Sequence, residues 1–266
     1  MSNYYQVKNE SWEIPPFITH ELKAKSNEYA VCIPVINEGD RIRNQLLKMK
    51  HLTDLIDIVI ADGGSSDNSL DLEFLKAQNV KSLLVKKGEG KLSAQMRMAM
   101  GFCIQEGYKG MVFIDGNNKD DTDAIPEFIN KLKQGYDHVQ GSRYIPGGKA
   151  VNTPMARHLG LKILHAPLIS LASGFKYSDT TNGFRAYSSK FLSDNRVNPF
   201  RNVFPEYELH YYLAIRAPRL GYKTIETPVT RVYPKGKTPT KISPFKGYIK
   251  ILITLFKASL QLYNPK

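Results

Sequence analysis

Two apolar runs of this 266-residue chain end on an aspartate: Ile56-Asp-Ile-Val-Ile-Ala-Asp62 and Met111-Val-Phe-Ile-Asp115. A short β-rich run of this kind reads as a buried strand of a parallel sheet. Ligands of open α/β sheets bind just beyond the carboxyl ends of such strands. A carboxylate there adds nothing to an apolar core, but it is placed to face a ligand.

The surrounding pattern repeats the theme. Strands are predicted at 31–36, 56–62, 80–85 and 111–115, each followed by a helix, at 40–50, 70–77, 91–105 and 122–133. Strands alternating with helices of this length mean βαβ units and a mainly parallel sheet. After Gly141 the pattern changes. A largely apolar helix is predicted over 155–171, strands over 182–187 and 224–232, and a helix over 206–219.

Composition narrows the class. With 42% apolar and 23% charged residues the chain is globular, not disordered. Cys32 and Cys103 fall in apolar segments and read as reduced core thiols. The six histidines are scattered, without metal-type spacing. A net charge of +12 suits phosphate-bearing ligands or anionic lipid. Nucleic acid is disfavoured, because no helix-turn-helix, zinc module or compact basic cluster is present. Residues 1–28 lack the pattern of a signal peptide, and no run reaches the roughly 18 apolar residues needed to span a bilayer. The expected location is the cytoplasm, peripheral on the inner membrane face. Residues 248–263 are apolar around most of a helical circumference, with Lys246, Lys250, Lys257 and Gln261 on one polar stripe. Such a helix can lie in a membrane interface with its lysines reaching the headgroups, or pack on the domain or a second subunit as a homodimer.

Six motifs in order carry a family resemblance. Val31-Cys-Ile-Pro-Val-Ile-Asn-Glu38, Ile58-Val-Ile-Ala-Asp-Gly-Gly-Ser-Ser-Asp67 and Val112-Phe-Ile-Asp-Gly-Asn117 resemble the N-terminal motifs of family 2 glycosyltransferases. Gly141-Ser-Arg-Tyr144, Gly147-Gly148 and Asp179-Thr-Thr-Asn-Gly-Phe-Arg185 resemble the branch that includes dolichol-phosphate mannose synthases. The resemblance implies a GT-A-like, Rossmann-type mixed α/β fold, its mainly parallel sheet flanked by helices, with a C-terminal amphipathic helix. One catalytic domain is expected: an N-terminal extension (1–28), a nucleotide-sugar-binding half (29–145), an acceptor-binding half (146–241) and the basic C-terminal helix (242–266).

The resemblance also implies roles. Pro34, Asn37 and Glu38 would line the base and ribose, although the last two would equally favour a helix N-terminus. Asp62 would read the base edge, or simply close an Asx turn with Gly64 and Ser65. Gly63 stands where the family often has a second aspartate. Gly90 and Lys91, opening a helix, could face the diphosphate. Asp115 and Asn117 occupy the place of an Asp-x-Asp pair that holds Mg2+ or Mn2+. An amide oxygen there carries less charge, and Asp120, Asp121 or the cation of Lys119 could compensate.

On the acceptor side, Arg143 and Arg157 fall where the branch sets arginines against a lipid phosphate, suited by their planar forks. Leu161 stands where the branch often has a serine. Asp179 and Arg185 match the acceptor motif. Asp179, Glu206 and Glu208 are the candidate bases if the acceptor is a hydroxyl; an anionic phosphate needs none. The segment from Arg231 through Lys235 to Lys241 resembles a basic segment that closes over the diphosphate. The expected reaction is inverting transfer of one sugar from a UDP- or GDP-sugar to polyprenyl phosphate. A glycan hydroxyl is the alternative acceptor, and a non-catalytic sugar-nucleotide-binding protein the alternative class.

Overall fold

The apolar runs fold as buried parallel strands, in a computed structural model that describes residues 3–234 and 246–265. In chain order the elements are β1 (Asn3–Tyr4), β2 (Phe17–Glu21), β3 (Tyr29–Val35), α1 (Asp40–Met49), β4 (Asp57–Asp62), α2 (Leu72–Ala77) and β5 (Val80–Lys86). Then come α3 (Leu92–Gln105), β6 (Gly110–Phe113), α4 (Ile125–Lys133), β7 (His138–Ser142), β8 (Lys149–Val151), α5 (Met155–Gly160) and α6 (Ala166–Ser173). The chain continues with β9 (Arg185–Ser188), α7 (Ser189–Leu192), α8 (Glu208–Arg219), β10 (Thr224–Pro228), β11 (Thr230–Val232) and α9 (Lys246–Ser259).

The main sheet runs β1-β2-β5-β4-β3-β6-β9-β7-β10, with β8 and β11 forming a separate parallel pair. Strands β5, β4, β3 and β6 are mutually parallel, and β9 is antiparallel to both its neighbours. Alternate residues of β3 serve opposite faces. Ala30 and Cys32 pack with Met96, Ala99 and Phe102 of α3. Val31, Ile33 and Val35 pack with Ile42 and Leu46 of α1 and Phe128 and Ile129 of α4. A third cluster joins Ile169 and Ala172 of α6, Ala214 and Ile215 of α8, and Leu255 and Ala258 of α9.

This topology positions the site. From β3 the chain goes to β4 on one side and later to β6 on the other, so the strand order reverses at β3. Asp62 ends β4 and Asp115 follows β6, and both carboxylates therefore flank the end of β3 at a topological switch point.

Some expectations shift. The strand foreseen over 224–232 is two, because the chain leaves the main sheet at Val229, whose N–H donates to Ser142. Strand β7 was hidden by its polar residues His138, Gln140 and Ser142, all buried. Residues 1–28 contribute β2, which pairs antiparallel with β5. Strand β9, from the expected acceptor half, lies between β6 and β7 of the other half. The helix foreseen over 155–171 is α5 and α6 joined by a wider π-helical turn at Leu161–His165. The boundary between residues 241 and 242 lies outside the described residues.

Candidate active site

The loops after β3 and β4 lock together. Gly63 N–H donates to the Val35 carbonyl (2.8 Å), Asn37 N–H to Ser65 Oγ (3.0 Å), and Ser66 N–H to Asn37 Oδ1 (2.8 Å). Asn37 adopts a positive φ of 47°, which asparagine tolerates better than most residues. Both Asp62 oxygens accept the Ser65 N–H, at 2.9 and 3.1 Å, and Ser65 Oγ donates at 2.6 Å. Asp62 thus closes the expected turn while sitting at the strand end. Pro34 pairs with Ala61 across β3 and β4, Gly64 takes φ 100° in the turn, and Glu38 holds Arg41 at 2.9 Å. Beneath them Gln95 of α3 donates to the Val35 and Ala61 carbonyls, both at 2.8 Å, tying the two strand ends. Gln95 was not foreseen; its only signal in the sequence was an amide within the apolar-rich run 92–104.

Beyond β6 the charges concentrate. Arg231 Nη2 lies 2.9 Å from Asp115 Oδ2, and its Nη1 donates to Asp120 Oδ2. One guanidinium therefore serves two carboxylates. Burial would raise the Asp115 pKa, but Arg231 holds it below the ordinary carboxylate value. Asp120, fully enclosed, is lifted to about 6 by burial, against the pull of Arg231 and with the help of Asp115. Backbone bonds fix this arrangement: Val232 N–H donates to the Lys119 carbonyl (2.8 Å) and Asp121 N–H to the Thr230 carbonyl (3.0 Å). Gly183 leaves room for Asp115, since a Cβ there would stand 2.7 Å from Oδ1. Nearby, burial and then Arg185 push the His210 imidazole down to about 3, so it is neutral.

A cleft of about 560 Å³ opens beside these residues, lined by Arg41, Lys48, Asn117, Asn118, Lys119 and Asp120 among others. Lys119 Nζ lies 5.3 Å and the Arg157 guanidinium 5.5 Å from the ring centre of Tyr233. Arg157 also donates to Tyr233 Oη at 3.3 Å. Burial alone would raise the phenol's pKa; Arg231, Arg143 and Arg157 bring it below the ordinary value. Tyr233 went unforeseen, although its spacing two residues from Arg231 places both on one face of an extended chain.

On the acceptor side, Arg143 and Asp179 form a buried two-point pair. Arg143 Nη2 also donates to Thr181 Oγ1 (2.8 Å). Arg185 is buried and donates to the carbonyls of Thr180, Asn182 and His210, so it braces the fold and does not face the cleft. Glu206 is held by Lys91 (3.1 Å) and Lys250 (2.8 Å), linking the start of α3 to α9. Glu208 is buried and accepts the Glu206 N–H. Gly90 is required where it stands: with φ 94°, a Cβ would meet Ala94 Cβ at 2.6 Å and the Pro205 carbonyl at 3.1 Å. Lys235 lies outside the described residues.

A resident divalent ion needs several charged or hard oxygen ligands free to converge. Asp115 and Asp120 each give Oδ2 to the one guanidinium of Arg231, which stands between them as a fixed cation, while Asp120 Oδ1 and the neutral Asn117 Oδ1 have no protein partner. Among the described residues no group of three His, Cys, Asp or Glu side chains converges. As they stand, these donors do not fit a resident divalent ion.

The family described as glycosyl transferase family 2 matches residues 30–196. The undecaprenyl-phosphate mannosyltransferase of Micrococcus luteus is 25% identical over 202 residues, which span 75% of this chain and 82% of that protein. The dolichyl-phosphate hexose transferase of Haloferax volcanii is 25% identical over 240 residues, 88% of this chain and 95% of that protein. A glucosyl-3-phosphoglycerate synthase from Mycobacterium tuberculosis, solved with Mn2+, UDP and phosphoglyceric acid, shares the fold at a TM-score of 0.61 and 16% identity, covering 87% of this chain and 78% of that one. The GT-A-like fold and the resemblance to the polyprenyl-phosphate hexose synthase branch are thereby borne out. This chain is a glycosyltransferase and belongs to family 2.

Proposed function

We propose that the chain transfers one sugar, with inversion, from a nucleoside-diphosphate sugar to polyprenyl phosphate at the cytosolic face of a membrane. The observation that carries this reading is the engagement of Asp179. Its carboxylate is bound at both oxygens by Arg143, with contacts of 2.6 and 2.9 Å, and is fully buried. Both oxygens are thereby engaged by the guanidinium and not left free to face an acceptor hydroxyl. The other acceptor-side carboxylates are engaged too. Glu206 binds two lysines, Glu208 accepts a backbone N–H, and Glu226 accepts the N–H groups of Ser178 and Asp179.

A phosphate acceptor is already anionic and needs no such base. Its oxygen attacks the anomeric carbon as the bond to the diphosphate breaks, and the leaving group takes the bonding electrons. Arg157, half-buried against Tyr233 and without a carboxylate partner among the described residues, suits the acceptor phosphate. Asp62 and Glu38 would hold the nucleoside.

The surface agrees with a lipid-borne acceptor. Met155, Leu159 and Ile163 recur at helical spacing and are exposed, the last at 72%. Ile249, Ile253, Phe256 and Leu260 form a second exposed stripe at α9, beside Lys250 and Lys257. No helix among the described residues is long and apolar enough to cross a membrane; exposed apolar stripes beside lysines suit helices that lie in a membrane interface. Arg157 lies on the helix that carries Met155 and Leu159, which brings the acceptor arginine to the same surface.

The test is an assay with a panel of UDP- and GDP-sugars against undecaprenyl phosphate and its uncharged alcohol, both in vesicles. Transfer to the phosphate alone is expected. Transfer to the alcohol, or to a free saccharide, would overturn the phosphate assignment.

A further inference from the structure

Asp115, Asn117 and Lys119 stand at alternate positions beyond β6, a carboxylate, an amide and an ammonium in turn. The carboxylate is already neutralised by Arg231 at 2.9 Å, and the same guanidinium holds Asp120. Among the described residues Lys119 forms no ion pair, and its ammonium lies 5.3 Å from the centre of the Tyr233 ring. Its ammonium lines the cleft together with Arg41, Lys48 and Asn117. A divalent cation entering here would meet cations on several sides, and carboxylates whose Oδ2 atoms already bind Arg231. A diphosphate would meet the complementary charge.

We propose that Lys119, acting with Arg231, neutralises the donor's diphosphate, so that this glycosyltransferase binds its nucleotide without a divalent cation. The inference rests on the nucleoside-diphosphate donor proposed above. Three features fit the role. The Lys119 backbone is pinned through its carbonyl to Val232, so the root of the side chain is fixed at the cleft before the ligand arrives. The face of Tyr233 attracts the ammonium and keeps it within the site. Arg231 presents its flat fork one strand away, and a guanidinium paired with carboxylates can exchange them for phosphate oxygens of the same geometry. When the anomeric C–O bond breaks, the new charge on the diphosphate is then met by the Lys119 ammonium and by the guanidinium that Arg231 shares with Asp115 and Asp120.

The test is calorimetric titration of the full chain with UDP and with GDP, each in excess chelator and in manganese. One nucleotide is expected to bind equally well in both conditions. Lys119→Ala should weaken that binding in chelator by about 10- to 100-fold, the effect of losing one charged hydrogen bond. The double variant Asn117→Asp/Lys119→Ala should bind better in manganese than in chelator, because it exchanges the cation for a ligand. A thermal melt of each variant checks that it is folded. Binding only in manganese would overturn the inference and leave the nucleotide donor standing, as would chelator-resistant binding that Lys119→Ala does not change. Failure of both nucleotides to bind in either condition would overturn both.

Discussion

Arg143 and Asp179 meet fork to carboxylate: Nε lies 2.6 Å from Oδ2 and Nη2 2.9 Å from Oδ1, with Asp179 fully buried and Arg143 5% exposed. Removing one partner leaves the other charge buried and alone. Asp179→Ala should therefore cost about 3–5 kcal/mol of stability, and Arg143→Met/Asp179→Leu should recover most of that loss. Urea denaturation of the three proteins checks it. Equal stability of Asp179→Ala and the parent would show that the pair is not a structural unit.

Asp62 braces the turn through Ser65 at the end of β4, and the function proposed above gives it the nucleoside as well. Asp62→Ala is expected to weaken nucleotide affinity by about tenfold or more, the loss of a charge-assisted hydrogen bond. Calorimetry measures this directly. Unchanged affinity would assign Asp62 to the turn alone.

The absent side chain of Gly183 makes room for Asp115, and a methyl group there would press on Oδ1 at 2.7 Å. Gly183→Ala should displace the carboxylate and with it the Arg231 pair. A fall in kcat of about 100-fold is expected, since small displacements at a reacting centre are that costly. Steady-state kinetics beside a thermal melt separates this from unfolding.

The exposed stripe of α9 offers Ile253 and Phe256, 49% and 47% exposed. If these side chains enter a membrane interface, Ile253→Ser/Phe256→Ser should lower co-sedimentation with anionic vesicles by roughly tenfold or more, given the burial energy of two large side chains. Activity on a water-soluble phosphate acceptor should persist. Undiminished vesicle binding would move the contact elsewhere.

His138 is buried in β7, its ring stacked on Tyr187 at 5.3 Å and its Nδ1 within 3.2 Å of Tyr177 Oη. Burial pushes its pKa well below the ordinary imidazole value, with Arg185 adding to the effect. Below about pH 6.5 the unfolded chain therefore binds a proton that the native chain does not, so stability falls as pH falls. The slope approaches about 1.4 kcal/mol per pH unit for this one site. Urea melts between pH 7 and 5 on the parent and on His138→Phe should show a shallower slope in the variant.

The central fold was legible because its signals are local. Runs such as Val31–Val35 and Ile58–Asp62 state their strand character in their own residues, and Asp62 and Asp115 close two such runs whatever the rest of the chain does. Strand β7 was not legible, because His138, Gln140 and Ser142 look solvent-facing until neighbours on both sides bury them. The break at Val229 was equally silent, since β10 and β11 separate only because β7 and β8 claim them for different sheets.

The site divides in the same way. The sequence by itself determined which carboxylates and cations stand at the strand ends, because strand periodicity and turn chemistry act over a few residues. Only the tertiary structure decided which of them pair. Arg231 reaches Asp115 and Asp120, and Arg143 takes up Asp179, across long stretches of chain. Those pairings decide whether a carboxylate is a base, a ligand or a counter-ion, and they depend on which loops the sheet order brings together.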